Sequence, residues 1–188
     1  APGMVVIDDF LSPIALNELF QFATQSSVFH RVMGGSIDRA YLGSYLDEGF
    51  APGLLFQIVA ELQARLPELI GKYKLVQAWA YKYMGDEESL EQGISVHADA
   101  AAVNINFWIT PDSANLLPQD GGLDIFDKEA PDEWNFATAN TKPDKIMEFL
   151  ETEPRAKKSS VAYRQNRCVM FHSNLFHQTG KVQFKKGF

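Results

Sequence analysis

The stretch "GISVHADAAAVNINFWITP" carries His97 and Asp99 two positions apart, just ahead of a run that alternates apolar and polar residues. In extended backbone, residues i and i+2 project to the same side, so an imidazole nitrogen and a carboxylate oxygen can converge on one point. Such a pair supplies two ligands of a metal ion, and a chelating site needs a third. The other histidines are His30, His172 and His177. His30, in "SSVFHRVMGG", reads as an exposed turn residue. His172 and His177 share "CVMFHSNLFHQTG", after a β run near the end of the chain, and either completes a set of two histidines and one carboxylate. With three coordination positions left open, that set suits non-haem Fe(II) oxygen chemistry. It equally suits zinc-assisted hydrolysis.

These residues need elements to hold them. "VVIDDFLSPIALNELFQFAT" reads as a short strand followed by a helix, with Ser12 as cap and Pro13 at the first helical position. Leu16, Leu19, Phe20 and Ala23 then form one apolar stripe. A second helix is expected from about Pro52 to Leu66, where Leu55, Ile58, Val59 and Leu62 recur at helical spacing until Pro67 halts it. From Lys74 the period changes to two in "KLVQAWAYKYM", the mark of a strand, and the acidic loop "GDEESLEQG" follows. Further β runs are "GGLDIFD", "SVAY", "RCVMFH" and "KVQF", each bounded by turn residues. Gly121 and Gly122 read as serving turn geometry and close backbone approach.

The expectation is a single domain over residues 1–188, mainly β with flanking helices. A strand and helices occupy about 4–72, and a jelly-roll, cupin-like barrel about 73–188, its two facing antiparallel sheets backed by the two early helices. A segment of about 128–160 interrupts the β rhythm, with a short helix from Pro143 to Leu150. Insertions of this length tend to be lids or binding loops. Trp134 within it reads as packing or as shaping the lid.

Composition bounds the function. A net charge of −7 argues against a broad grip on nucleic acid or anionic lipid. No run approaches the ~18 apolar residues of a membrane helix. The single cysteine, Cys168, excludes an intrachain disulfide framework and a multi-cysteine zinc site, and fits a cytoplasmic setting. The chain begins with Ala1 rather than Met and lacks a secretory signal, so a piece of a longer protein is expected. Asn104 and Asn106 alternate with apolar residues on a strand expected to be buried. Buried amides are costly unless hydrogen-bonded, so either a polar cavity with cosubstrate contact or plain solvent exposure accounts for them.

The order "AYKYMGD…HAD…VNINFWITP…GGLDIFD…RCVMFHSNLFHQT" resembles the 2-oxoglutarate and Fe(II)-dependent oxygenases, particularly the bacterial group similar in core to prolyl hydroxylases. The resemblance spans nearly the whole chain. It implies His97, Asp99 and His177 as iron ligands, with His177 preferred to His172 because the family's second histidine follows the strand after a short turn. It implies Tyr83 as a hydrogen-bond partner of 2-oxoglutarate, the alternative being a core tyrosine beside Trp79 and Tyr81. A basic residue beyond the second histidine should anchor the distal carboxylate; Lys186 and Lys185 are within reach, or the anchor lies on a last strand past Phe188. Implied with these are O₂ as cosubstrate, ascorbate as reductant, and a product of hydroxylation or demethylation, because Asp99 fills the position that halogenating relatives leave to chloride. The substrate is expected to be a peptide side chain first and a small metabolite second, recognised by the 128–160 segment. A metal-dependent cupin-like hydrolase or isomerase, and a non-catalytic interaction barrel, remain the alternatives.

Overall fold

Ser12 and Pro13 begin a helix for the reasons their chemistry gives. In the computed structural model, which describes residues 3–33, 41–83 and 93–186, β1 (Met4–Ile7) leads into α1 (Pro13–Gln25), and the Ser12 hydroxyl oxygen accepts the Ala15 N–H at 3.2 Å. β2 (Arg31–Met33) and β3 (Tyr41–Tyr45) follow. Next come α2 (Gly53–Arg65) and a short α3 (Pro67–Ile70), so Pro67 ends one helix and opens another. β4 covers only Trp79–Tyr83, less than the period-two pattern from Lys74 suggests. The reason is local. The Gln77 side-chain oxygen accepts the backbone N–H groups of Leu46 (3.2 Å) and Ala78 (2.9 Å), competing with ladder pairing. The acidic loop after β4 lies outside the described residues.

The rest of the chain forms β5 (Val103–Phe107), β6 (Leu123–Glu129), α4 (Phe136–Thr141), α5 (Pro143–Glu151), β7 (Lys158–Val161), β8 (Cys168–His172) and β9 (Leu175–Thr179). "KVQF" forms no strand of its own; Phe184 makes an isolated bridge to Asn115, and the Gln183 carbonyl accepts the Leu116 N–H at 2.8 Å. Among the described residues the antiparallel strands are ordered β1-β8-β5, β7-β6-β9 and β2-β3-β4. No described helix is long and apolar enough to cross a membrane.

Two of these sheets face each other. Leu123, Ile125, Val161 and Leu175 pack against Val169 and Phe171, with Trp108 and Met4 alongside. Trp108 shares the parity of Asn104 and Asn106, so this face of β5 looks inward. Phe107 and Ile109, of the opposite parity, join Leu11, Leu19, Leu54, Ile58 and Leu62 in the cluster that α1 and α2 build on the outside. Gly122 serves close approach as expected: a Cβ there would overlap the Val161 carbonyl oxygen, while Gly121 has φ +75°. Cys168 is fully buried, and burial pushes its thiol up to about 12.

The 128–160 segment packs onto the rest of the fold through a shared apolar cluster. Ala139, Ile146 and Leu150 pack with Val96, Ala98, Phe126 and Phe176, and Trp134 and Phe149 close the cluster. Val96 and Ala98 flank His97, so this layer lies directly behind the histidine–aspartate pair.

Candidate metal centre

Val96 and Ala98 are drawn to the apolar layer beneath them, and their neighbours His97 and Asp99 therefore face the opposite way. The i, i+2 geometry holds although residues 97–99 form no regular strand. His97 makes an isolated antiparallel bridge to His177, in the middle of β9. The Asp99 N–H donates to the Ser173 carbonyl at 3.1 Å, fixing the pair against the β8–β9 turn. Ligand atoms of His97, Asp99 and His177 all lie within 4.8 Å of one another. His177 Nε2 is 3.4 Å from Asp99 Oδ2, and His97 Nε2 is 3.8 Å from Asp99 Oδ1.

Both imidazoles are oriented from behind. His97 Nδ1 lies 2.7 Å from the Ser95 carbonyl oxygen, and His177 Nδ1 lies 3.0 Å from that of Leu175. A carbonyl only accepts, so each Nδ1 carries the proton and each Nε2 keeps a free lone pair aimed toward Asp99. A metal requires this tautomer, and backbone partners on the far nitrogen hold it. Burial, and then His177, lower the His97 pKa, against the opposing pull of Asp99 and of the Ser95 carbonyl. His97 is thus held in its neutral, ligating form.

Asp99 is held by amides. Burial alone would raise its pKa, but the neighbouring His177 and His97 imidazoles and the Asn104 amide outweigh it, and the carboxyl stays below its ordinary range. Asn104 Nδ2 donates to Asp99 Oδ2 at 2.7 Å, and Asn104 Oδ1 accepts the buried Ser173 hydroxyl at 2.9 Å. Asn140 Nδ2 donates to Asp99 Oδ1 at 3.3 Å and to the Ala98 carbonyl at 3.1 Å. Two neutral nitrogen donors, one carboxylate and a satisfied outer ring of hydrogen bonds fit a divalent first-row metal.

Of the other candidates, Asn104 contacts one of these three residues. Asn104 is buried against the carboxylate, while Asn106 is half-buried on the same face of β5. Tyr83 is half-buried on β4, its ring 5.2 Å from Tyr41 and 6.2 Å from Phe184. Lys186 and Lys185 are exposed. His172 ends β8, exposed, with Nδ1 3.7 Å from Glu129, and His30 is exposed as expected. The sequence reading missed Ser173, Asn140 and Tyr81. Burial, a hydrogen bond to Tyr45 and weaker charge effects that include Asp99 push the Tyr81 phenol upward, placing it within electrostatic reach of the site. Period two along β4 marked Tyr81 as a face residue; nothing local marked Asn140.

Ring contacts connect Tyr81, Tyr41, Tyr83, Phe184, Tyr163 and Trp108 in one series. Tyr41 and Tyr81 (5.1 Å), Tyr45 and Trp79 (6.4 Å), Tyr163 and Phe184 (5.7 Å), and Trp108 and Tyr163 (5.6 Å) pair ring to ring, and Phe171 sets its edge on His177 at 4.8 Å.

A histidine–aspartate–histidine set between facing antiparallel sheets is the arrangement of jelly-roll metalloenzymes. Comparison with solved structures specifies the fold: it is that of the 2-oxoglutarate and Fe(II)-dependent oxygenases. The chain is similar to the non-heme alpha ketoglutarate dependent carbocyclase SnoK of nogalamycin biosynthesis, with TM-score 0.66 and 12% identity over 98% of this chain and 83% of that one. The epimerase SnoN of the same biosynthesis gives TM-score 0.64 and 16% identity over 95% and 72% of the two chains. SnoN has also been crystallised with Fe3+, alpha ketoglutarate and nogalamycin RO. A Pseudomonas putida prolyl-4-hydroxylase gives TM-score 0.54 and 13% identity over 97% and 87%. No protein-family model and no curated protein sequence matches the chain.

Proposed function

We propose that this protein is an Fe(II)- and 2-oxoglutarate-dependent dioxygenase acting on a small organic substrate, with hydroxylation as the reaction type. The observation that carries this reading is the pair of free Nε2 lone pairs of His97 and His177 converging with the Asp99 carboxylate, each ligand steadied by a separate hydrogen bond. His97, Asp99 and His177 would hold the iron. When bound, Fe(II) with 2-oxoglutarate and O₂ couples decarboxylation of the cosubstrate to succinate with oxidation of a substrate C–H bond, with ascorbate keeping the metal reduced.

The chain's own residues do the rest. The Ser95 and Leu175 carbonyls accept from each Nδ1–H, so both rings are kept from turning and each presents its Nε2 to the metal. Asn104 and Asn140 keep both carboxylate oxygens directed. Phe171, edge-on to His177, and Tyr81, within electrostatic reach of Asp99, are the aromatic groups that would limit water at the site. Asn106, Tyr83 and Tyr81 supply polar groups for a cosubstrate. Support for a small-molecule substrate comes from the SnoN complex with nogalamycin RO. SnoK and SnoN, alpha ketoglutarate dependent proteins of this fold, are named for outcomes other than hydroxylation, a carbocyclase and an epimerase.

A second reading has its own observation. Lys185 and Lys186, the basic candidates for the distal carboxylate, are exposed, which suits a metal hydrolase or isomerase that needs no cosubstrate. One assay separates the two: succinate release under air with Fe(II), ascorbate and 2-oxoglutarate, in the wild type and in His97→Ala. Succinate from the wild type alone supports the dioxygenase; equal, background-level release from two folded proteins overturns it.

A further inference from the structure

We infer that Asn140 is a positioning residue through which the inserted 128–160 segment and the metal centre sense each other's state. The inference rests on the reading that His97, Asp99 and His177 bind a divalent metal. Three observations converge on it. Both oxygens near the Asn140 amide nitrogen, Asp99 Oδ1 and the Ala98 carbonyl, are acceptors only, so the amide must point its N–H₂ at them. One side chain from α4 thereby clamps a metal ligand and the peptide unit just before it. The backbone repeats the connection, since the Ala98 N–H donates to the Ala139 carbonyl at 2.8 Å. And α4 is not an isolated turn: Ala139 belongs to the cluster with Ile146, Leu150, Phe149 and Trp134, so displacing this layer displaces the Asn140 amide.

Asn104 already holds the other oxygen from the rigid β5 strand. The carboxylate is therefore gripped on one side by the sheet and on the other by the insertion, and only the second grip moves with the insertion. By reciprocity, a metal that requires the gripped rotamer of Asp99 must tighten the insertion by the free energy with which the insertion tightens metal binding. The segment expected to meet substrate is then tied to the metal ligand it would regulate.

The test uses Co(II), a redox-stable probe, on the full chain. Binding is followed by calorimetry and by the visible spectrum of bound Co(II), and amide hydrogen exchange is followed across residues 136–151 with and without the ion. The wild type is expected to slow exchange in that segment on binding. Asn140→Ala is expected to bind about 10-fold more weakly, with an altered spectrum and no metal-induced slowing there. Thr141→Ala, an exposed neighbour whose hydroxyl bonds only within the helix, should change none of these. Should the alanine variant fail to fold, Asn140→Leu keeps the side chain's approximate volume and removes the donor. Wild-type affinity, spectrum and protection in a folded Asn140 variant would overturn the coupling and leave the metal reading standing. No Co(II) binding by the wild type would overturn both.

Discussion

His97 and His177 meet as a two-residue antiparallel pair. Each backbone N–H donates to the other's carbonyl, at 2.9 and 2.8 Å, and the two rings lie 4.2 Å apart. The spacing of the two imidazoles is thus set by backbone, and replacing one side chain leaves the bridge intact. His177→Ala should weaken Co(II) binding by more than about 100-fold, beyond the loss typical of an outer hydrogen-bond partner. His172→Ala, on an exposed residue, should stay within about twofold. Calorimetric titration of both variants decides it; the larger loss at His172 would reassign the third ligand.

Asn104 lies between a buried hydroxyl and a carboxylate. Asn104→Ala leaves the Ser173 hydroxyl and Asp99 Oδ2 without their partner, at a cost of about 1–3 kcal/mol. Urea unfolding of the metal-free protein should show this as a lower midpoint with unchanged slope.

The acid response follows from His97. Its pKa is lowered in the folded protein, chiefly by burial, so below about pH 6.5 the unfolded chain binds a proton that the folded one resists. The associated stability is present above that pH and is lost as the pH falls through it. Asp99, also lowered on balance, adds a contribution that is lost only below about pH 4. The urea midpoint should therefore drop between pH 7 and 5.5, and His97→Asn should flatten part of that drop. An unchanged profile in the variant would place the acid sensitivity elsewhere.

Ile146 is fully buried on α5, in the layer behind the histidine–aspartate pair. Ile146→Ala should cost about 2–5 kcal/mol. Because Val96 and Ala98 share that cluster, the same variant should also weaken Co(II) binding, although no atom of Ile146 is a ligand. A destabilised variant with wild-type affinity would show that the layer supports the fold alone.

How much of this was legible in the sequence depends on how local the signal was. Ser12 and Pro13 announced α1 because capping is settled within one turn. His97 and Asp99 were visible because alternation needs no tertiary partner. The sheet β2-β3-β4 was only partly seen: Arg31–Met33 is too short to show a period, and Tyr41–Tyr45 was passed over beside it. β9 was missed as a strand because Leu175–Thr179 follows β8 after only Ser173 and Asn174, and the two read as one run. The parity of Asn104 was readable, yet its meaning was not, since solvent exposure and a polar site produce the same alternation. Asn140 gave no signal at all, because its partners are about 40 residues away in sequence and become neighbours only when the insertion packs.

The single cysteine, Cys168, lies on the central strand β8, fully buried and with its thiol pushed up to about 12. A thiol so placed has almost no thiolate at neutral pH and no route to a reagent. The folded protein is therefore chemically silent toward maleimides without any substitution of its own sequence. A cysteine introduced at exposed Thr141 becomes the sole reactive handle, and a fluorophore or spin label placed there reports the 128–160 segment beside Asp99 in an otherwise native molecule.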